Sequence, residues 1–527
     1  MRITVTNSTC KVEGELPPGC LAFFEHEYKT VRKLKGQKHP EWVTHRLSLF
    51  NSYARTFPTG LLYKFKDYLF TNYDTIPEIT LTRRTANQKV KLPAAWNVSL
   101  RSHQTKAVSE AIKRSRGLIV SPTGSGKTFI AAKIIEELHC NTLYLVNNLD
   151  LLEQTAEVLV GLFSQKNVGM IGKSIFNPSK ITVSTVQTLW ARFQSTDVKS
   201  FLQSIDLLIG DEIHHISYNI DRSKGEKYPG NSFFEVIQAV DSFYKFGFSA
   251  RINREGSLRR KFLEATIGRP FFHITYNELR EQGYLANVCV FIVVTPHIQK
   301  QVNYQVAYRE GIQKNDWVHN LITDTALHLK KQGKTSVIMV TRLNKTDVVS
   351  YRKDAYGNDV PVYGKTMGHA GLIYETLEQK DRGSAVLLTG ESASEDRLRL
   401  RGLLNKKELK IAVGTVLREG VDIPTLDAVL YVCGGRAETD DNDDVDSSAC
   451  IQAIGRALRN LGGLADQKRA VHVDLIYSDK GMLQKHSMER IQAYKEHGYN
   501  VVMVSPDTLN VAIDAWTKEG VIVGSLL

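Results

Sequence analysis

Paired cysteines are missing from this 527-residue chain. Its six cysteines, Cys10, Cys20, Cys140, Cys289, Cys433 and Cys450, lie far apart and form no CxxC or CxxxC pair. That excludes a zinc knuckle and a disulfide framework and points to a reducing, cytoplasmic setting. Long apolar runs are missing too: no stretch approaches the ~18 consecutive apolar residues of a membrane span. The opening residues, MRITVTNSTC, lack the positive-then-apolar order of a secretory signal. Repeats of fixed period and low-complexity tracts are absent. Acidic residues are in deficit, 56 Asp/Glu against 68 Lys/Arg, and the net charge of +12 favours a polyanionic partner such as nucleic acid.

Material for packed cores is plentiful. Apolar residues make up 42% and charged ones 24%, which excludes disorder over most of the length, and the length suggests several compact units. Charge is uneven. Residues 1–95 hold fifteen Lys/Arg against eight Asp/Glu, a net of +7. The run TVRKLKGQKH concentrates it in Arg32, Lys33, Lys35 and Lys38, a candidate nucleic-acid contact whose plainer reading is a solvated loop. At AETDDNDDVDSS, Glu438, Asp440, Asp441, Asp443, Asp444 and Asp446 crowd together. This block repels itself, reads as a surface loop, and lacks the fixed Gly and terminal Glu of a calcium site.

Residues 1–95 mix short apolar runs with turns, and WVTHRLSLFNSYARTFPTGLLYKFKDYLF reads as strand, turn and amphipathic helix, a basic α+β substrate-binding domain. From residue 96 short β-rich runs alternate with helical ones: GLIV (117–120), TLYLV (142–146), ITVSTV (181–186), IDLLIGDE (205–212) and YKFGFSA (244–250). The pattern resumes at SVIMVT (336–341), AVLLTG (385–390), KIAVGT (410–415), AVLYVCG (428–434) and VHVDLIY (471–477). Buried parallel strands with crossover helices read this way, so the fold class is α/β with two tandem parallel-sheet domains, 96–285 and 286–480. Residues 481–527 read as a short helical C-terminal extension.

After the first of these strands comes SPTGSGKT. Gly124, Ser125 and Gly126 are small enough for backbone N–H groups to close around phosphate oxygens, and the following helix start adds partial positive charge. Lys127 is placed to meet the β- and γ-phosphates of ATP, and the Thr128 hydroxyl to bind Mg²⁺. The usual first glycine of GxxxxGK[ST] is Ser121 here. Further on, IDLLIGDEIHH ends an apolar strand with two carboxylates. Asp211 is placed to hold Mg²⁺ and Glu212 to orient or deprotonate the attacking water, with His214 as a reporter of nucleotide state. An Asp-Glu pair alone is commonly just an exposed strand end; with the phosphate loop it reads as a hydrolysis site.

SPTGSGKT, DEIHH, GFSAR, GTVLREGVDIP and QAIGRALR occur in the order seen in superfamily 2 helicases and translocases, which residues 100–480 resemble. The resemblance implies two RecA-like domains and ATP hydrolysis coupled to unwinding or translocation. It places Gln104 of LRSHQ at the adenine. It makes Ser249 of GFSAR a coupling residue, although Arg251 stands where the motif has threonine. Thr415, Glu419, Gly420 and Asp422 fall in motif V, and Gln452, Gly455, Arg456 and Arg459 in motif VI. Of these, Glu419, Gly420, Asp422 and Gln452 are implied on the nucleotide and Arg456 and Arg459 as catalytic arginines. Charge on the γ-phosphate in the transition state is best met by an Arg fork that arrives on domain closure, worth ~10³-fold or more in rate. GFSARINREG resembles the corresponding region of XPB-like DNA helicases, and the flanking segments FFEHEY and HSMERIQAYKEHGYNVVMV resemble UvsW-type recombination helicases of T-even phages.

Members of this superfamily hold one strand through its phosphates. The matching stretches here give Thr185, Gln187, Arg342 and Thr415 as candidates, although a Ser or Thr at a strand end is often simply a helix cap. The expected partners are branched or double-stranded DNA, such as forks, Holliday junctions and D-loops, or an RNA–DNA hybrid, with no membrane. A single-strand-binding protein or recombinase enters by analogy alone. The expected location is the cytoplasm, that of the bacterial host if the chain is phage-encoded. The rival readings are a duplex translocase motor of a restriction-type complex, an RNA helicase, and a non-motor ATP-gated nucleic-acid-binding module.

Overall fold

The structure, a computed structural model, describes residues 1–32, 41–86, 90, 92, 99–215, 232–250, 255–301, 303–340, 346–353, 359–365, 368–388, 394–414, 423, 425–435, 438–439, 445–446, 448–457, 459–460 and 463–527. The side chains of 28–32, 41–42, 215, 346–353, 359–365, 394–398, 401, 438–439, 445–446, 448–449 and 456 are outside that description. Two short segments apart, the chain divides into two compact units between Ile274 and Thr275.

The first unit opens with the small α+β module. Arg2–Val5 pairs antiparallel with Thr9–Glu13 and parallel with Glu78–Leu81, and Thr56–Pro58 completes a sheet of four strands. Strand alternation puts Ile3, Val5, Cys10 and Val12 on one buried face. There they share a core with Phe65 and Leu69 of the helix Leu62–Tyr73 and with Phe24 and Phe57. The Phe24 ring lies 4.6 Å from Phe65 and 4.9 Å from Phe57, a spacing that favours tilted aromatic pairs. Glu25–Arg32 and Glu41–Ser48 pair as a separate hairpin whose last register is Arg32 to Glu41. The basic run therefore begins at the far end of that hairpin; Lys33, Lys35 and Lys38 lie outside the described residues.

This module is welded to the parallel-sheet domain next to it in the chain. Ala265 belongs to its core, and a Cβ on Gly60 would have no room against the Glu264 and Ala265 carbonyl oxygens. Lys64 pairs with buried Glu264 at 2.8 Å and also with Glu255. Buried Lys245 donates to Ser8 Oγ at 3.0 Å, and Arg116 donates to the Asn7 carbonyl.

The eight-stranded sheet of the first unit runs Ile175–Asn177, Val168–Gly172, Ile181–Thr185, Thr142–Val146, Leu207–Gly210, Tyr244–Ser249, Arg116–Val120, Pro270–His273. All its pairings are parallel except the first. The second unit repeats the plan as Ala385–Leu388, Ile411–Gly414, Ser336–Met339, Ala428–Tyr431, Arg469–Ile476, Asn287–Val294, Asn500–Val504, Ser525–Leu526, antiparallel only at the last pair. These are the two tandem parallel sheets the alternation implies, with the RecA-like fold that the resemblance implies.

Two boundaries differ from the sequence reading. The units part at Ile274, eleven residues before the expected join at 285, because the helix Tyr276–Glu281 packs with the second unit, its Tyr276 ring 4.7 Å from Tyr499. The segment after 480 is helical over Met482–Glu496 and Leu509–Glu519, but it is not an appendage. Asn500–Val504 inserts beside Asn287–Val294, and Trp516 is buried in the core of that unit. Within the acidic block, Glu438–Thr439 pairs with Val445–Asp446, and residues 440–444 are outside the description. No helix among the described residues is long and apolar enough to cross a membrane.

Candidate nucleotide site

Ligands of open parallel sheets bind beyond the carboxyl ends of the strands, and the sequence-read site residues of the first unit gather there. The strand Arg116–Val120 runs into Ser121, and the helix Lys127–Leu138 begins six residues later. Between them Gly124 and Gly126 both adopt φ +85°, a left-handed backbone that disfavours a side chain. Gly126 is doubly constrained, because the amide nitrogen of buried Gln104 fills the space a Cβ would need. The other end of that amide, Gln104 Oε1, accepts from Arg101 N at 2.9 Å. Ser121 causes no difficulty in place of glycine. It is not among the residues with positive φ, and its N–H is engaged by the Ser249 carbonyl at 2.9 Å.

Asp211 and Glu212 follow the central strand Leu207–Gly210. Lys127 Nζ meets Glu212 Oε1 at 2.7 Å, both side chains largely buried. Asp211 accepts from Glu212 N through Oδ1 at 2.9 Å and from the Tyr144 hydroxyl through Oδ2 at 3.3 Å. Burial pushes the Asp211 carboxyl up to about 6; Lys127 pulls the other way and the Glu212 charge adds to the rise. Glu212 itself sits at φ +45°, a left-handed conformation that costs about 1 kcal/mol in a residue with a Cβ. From there the polar chain continues: His214 Nδ1 lies 3.3 Å from Glu212 and 3.1 Å from Ser249 Oγ. Ser249 ends the strand next to the phosphate loop, so one serine touches the carboxylate strand by its side chain and the loop by its backbone. Among the described residues no three His, Cys, Asp or Glu side chains gather as for a metal held by protein alone.

Residues 97–254 match the family described as Type III restriction enzyme, res subunit. The DNA 3'-5' translocase XPB2 of Sulfurisphaera tokodaii is 31% identical over 383 residues, 69% of this chain and 79% of that protein. The chain belongs to the XPB-like superfamily 2 helicases. Another relative, the ATP-dependent DNA helicase uvsW of Enterobacteria phage T4, is 22% identical over 76% of each chain. Among solved structures, S. cerevisiae Dbp5 bound to RNA and ADP BeF3 shares the fold with a TM-score of 0.53, at 17% identity over 79% of this chain and 93% of that one. This superfamily 2 helicase is thus an ATP-driven enzyme.

The remaining candidates of the helicase fall in different places. Thr185 is buried and caps the helix Val186–Ala191: its hydroxyl accepts from Thr188 N at 3.3 Å. Gln187, the second residue of that helix, is exposed and donates to Asn147 Oδ1 at 3.3 Å, at the same sheet edge as Asp211. In the second unit Gln452 lies half-buried on the helix Ser448–Ala457, which also carries Arg456, whose side chain is outside the description. That helix ends before Arg459, so the two arginines do not share it; Arg459 is exposed and its backbone bridges to Leu285. Arg342, Thr415, Glu419, Gly420 and Asp422 lie outside the described residues, as does the side chain of Arg32. Sequence reasoning passed over Tyr144, reading TLYLV only as a strand. The available signal was a phenol between two leucines in a strand buried on both faces.

Proposed function

We infer that this superfamily 2 helicase is an ATP-dependent DNA helicase or branch-migration translocase. It remodels forks, Holliday junctions, D-loops or RNA–DNA hybrids in recombination, repair and replication. The observation that carries the chemistry is the Lys127–Glu212 pair beside Asp211, with its polar continuation through His214 to Ser249. The relatives named as DNA translocase and DNA helicase support DNA as the track.

In this reading ATP separates Lys127 from Glu212. Lys127 turns to the phosphates, and Glu212 is released to orient and accept a proton from the attacking water. Thr128 and Asp211 offer a hydroxyl and a carboxylate, a hard-oxygen donor set that fits Mg²⁺ together with phosphate oxygens. When bound, that cation supplies neutralisation of charge on the phosphates. Gln104, Gly124, Ser125 and Gly126 hold the nucleotide, joined by Glu419, Gly420, Asp422 and Gln452. Arg456 and Arg459 stabilise the transition state, and His214 and Ser249 relay the state of the site.

Gln187, Thr185, Arg342 and Thr415 line the track, and Arg32, Lys33, Lys35 and Lys38 select branched substrate. Binding is then phosphate-dominated, indifferent to sequence and steeply weakened by salt. The helicase works in the cytoplasm, that of the host if phage-encoded, where a single-strand-binding protein or recombinase would meet it on the same DNA. The test is DNA-stimulated ATPase in Lys127→Ala and Glu212→Gln: both lose it with the fold intact. Retained stimulated turnover in both overturns the reading.

A further inference from the structure

We propose that Tyr144 is a positioning residue that aligns the Asp211 carboxylate for the metal that accompanies the nucleotide. The inference rests on the reading of Thr128 and Asp211 as the Mg²⁺-holding pair.

Tyr144 is the middle residue of the strand Thr142–Val146 and is fully buried, between Val183 on one neighbouring strand and Ile209 on the other. Its neighbours Leu143 and Leu145 belong to the apolar core on one face of the sheet; alternation turns Tyr144 to the opposite face. A buried phenol needs a partner for its oxygen, and here the partner is the Asp211 carboxylate. Tyr144 donates to Asp211 Oδ2 at 3.3 Å. One hydroxyl of the strand Thr142–Val146 thereby reaches the carboxylate that follows the neighbouring strand Leu207–Gly210.

The consequence falls on Asp211. Its Oδ1 is held by Glu212 N at 2.9 Å, and Tyr144 holds the other oxygen, so both ends of the carboxylate are fixed. At 3.3 Å the Tyr144 bond is long for O–H···O, which has its mode near 2.7–2.8 Å, and it adds little to the stability of the fold. Its contribution is the direction it gives the carboxylate. Groups that orient a ligating side chain typically affect metal affinity by about 10- to 100-fold when removed.

The experiment compares full-length wild type with Tyr144→Phe, which keeps the ring and removes only the oxygen. Binding of a fluorescent ATP analogue is followed by anisotropy while Mg²⁺ is raised from a chelated baseline. The expected result is equal binding of the analogue by both proteins without Mg²⁺, an unchanged thermal midpoint, and a Mg²⁺ midpoint about tenfold higher in Tyr144→Phe. Coincident Mg²⁺ curves would make Tyr144 a core residue and overturn the proposal. Weakening by the same factor with and without Mg²⁺ would also overturn it, because the defect would then lie in the phosphate loop. If wild-type binding itself ignores Mg²⁺, the assignment of Thr128 and Asp211 to the metal fails, and the role of Tyr144 falls with it.

Discussion

Each unit of this helicase buries a carboxylate near the carboxyl end of a central parallel strand and sets a cation against it, yet the two arrangements are opposite in kind. In the second unit Arg490 grips Asp474 with two parallel bonds, Nε to Oδ2 at 2.7 Å and Nη2 to Oδ1 at 2.9 Å. Tyr494 and Leu475 N supply further donors to the same carboxylate, and Arg490 Nη1 reaches the Gly435 carbonyl at 2.9 Å. Burial opposes the charge on Arg490, but Asp474 more than offsets it and holds the guanidinium well above its ordinary range. In the first unit Lys127 makes a single contact with Glu212, Asp211 is pushed up to about 6, and Glu212 is bent into a left-handed backbone. Saturation distinguishes them. A fully engaged ion pair fixes architecture, whereas a less saturated one can give its charges over to a ligand.

The strongest way to break this comparison is through activity. Glu212→Gln should lower DNA-stimulated ATP turnover by about 10²–10⁴-fold while leaving the urea midpoint near wild type, read by a coupled phosphate-release assay. An Arg490→Ala variant should do the reverse at the level of cause. Stability falls by about 3–5 kcal/mol in urea titration because Asp474 is left buried without its cation. A double replacement, Asp474→Leu with Arg490→Met, should recover most of that loss; if it does not, the pair is more than architectural.

Asp211 gives an effect of intermediate size with the opposite sign. Its folded value of about 6 lies above the ordinary 3.8, so between pH 4 and 6 the folded state holds a proton that the unfolded chain has released. Stability from this group is therefore present below about pH 4, falls as pH rises to about 6, and stays lowered above it. Asp211→Asn should raise the stability of the nucleotide-free protein on the order of 1–3 kcal/mol at pH 7 and remove that slope. A melt series from pH 4 to 8 checks both.

The smallest effect belongs to Thr185. Its hydroxyl is engaged as a helix cap, so Thr185→Ala should cost about 1 kcal/mol by chemical denaturation. If DNA affinity also falls alike for all sequences with the salt slope unchanged, the Thr185 hydroxyl reaches phosphate as the proposed track requires; unchanged DNA affinity leaves it a helix cap alone.

Much of the candidate nucleotide site was legible because its chemistry is local. A phosphate loop must be small residues followed by Lys and Thr, and an apolar strand ending in Asp-Glu can be read without knowing what lies beside it. The order of the five motifs carried the family, and the β-rich runs carried both sheets. Less legible were elements whose identity depends on distant neighbours. Asn500–Val504 becomes a strand of the second sheet because Asn287–Val294 offers it a parallel edge. The N-terminal module reads as a separate unit until Gly60 is seen against Glu264, and Lys245 against Ser8. That contact changes the meaning of the basic charge in residues 1–95, since those residues cannot be removed without exposing surface the first RecA-like domain buries.

The sequence by itself determined the residue types at the candidate nucleotide site, the α/β class and the family, because each is set by short-range pattern: small residues for a tight loop, apolar runs for buried strands, fixed spacing for motifs. Only the tertiary structure decided how the charges are balanced. Whether a buried carboxylate is saturated, as Asp474 is, or left raised, as Asp211 is, depends on donors arriving from other strands and helices. Tyr144 shows the same limit in one residue. In the sequence it is one more apolar strand position, and only when the neighbouring strands are packed does its oxygen meet Asp211.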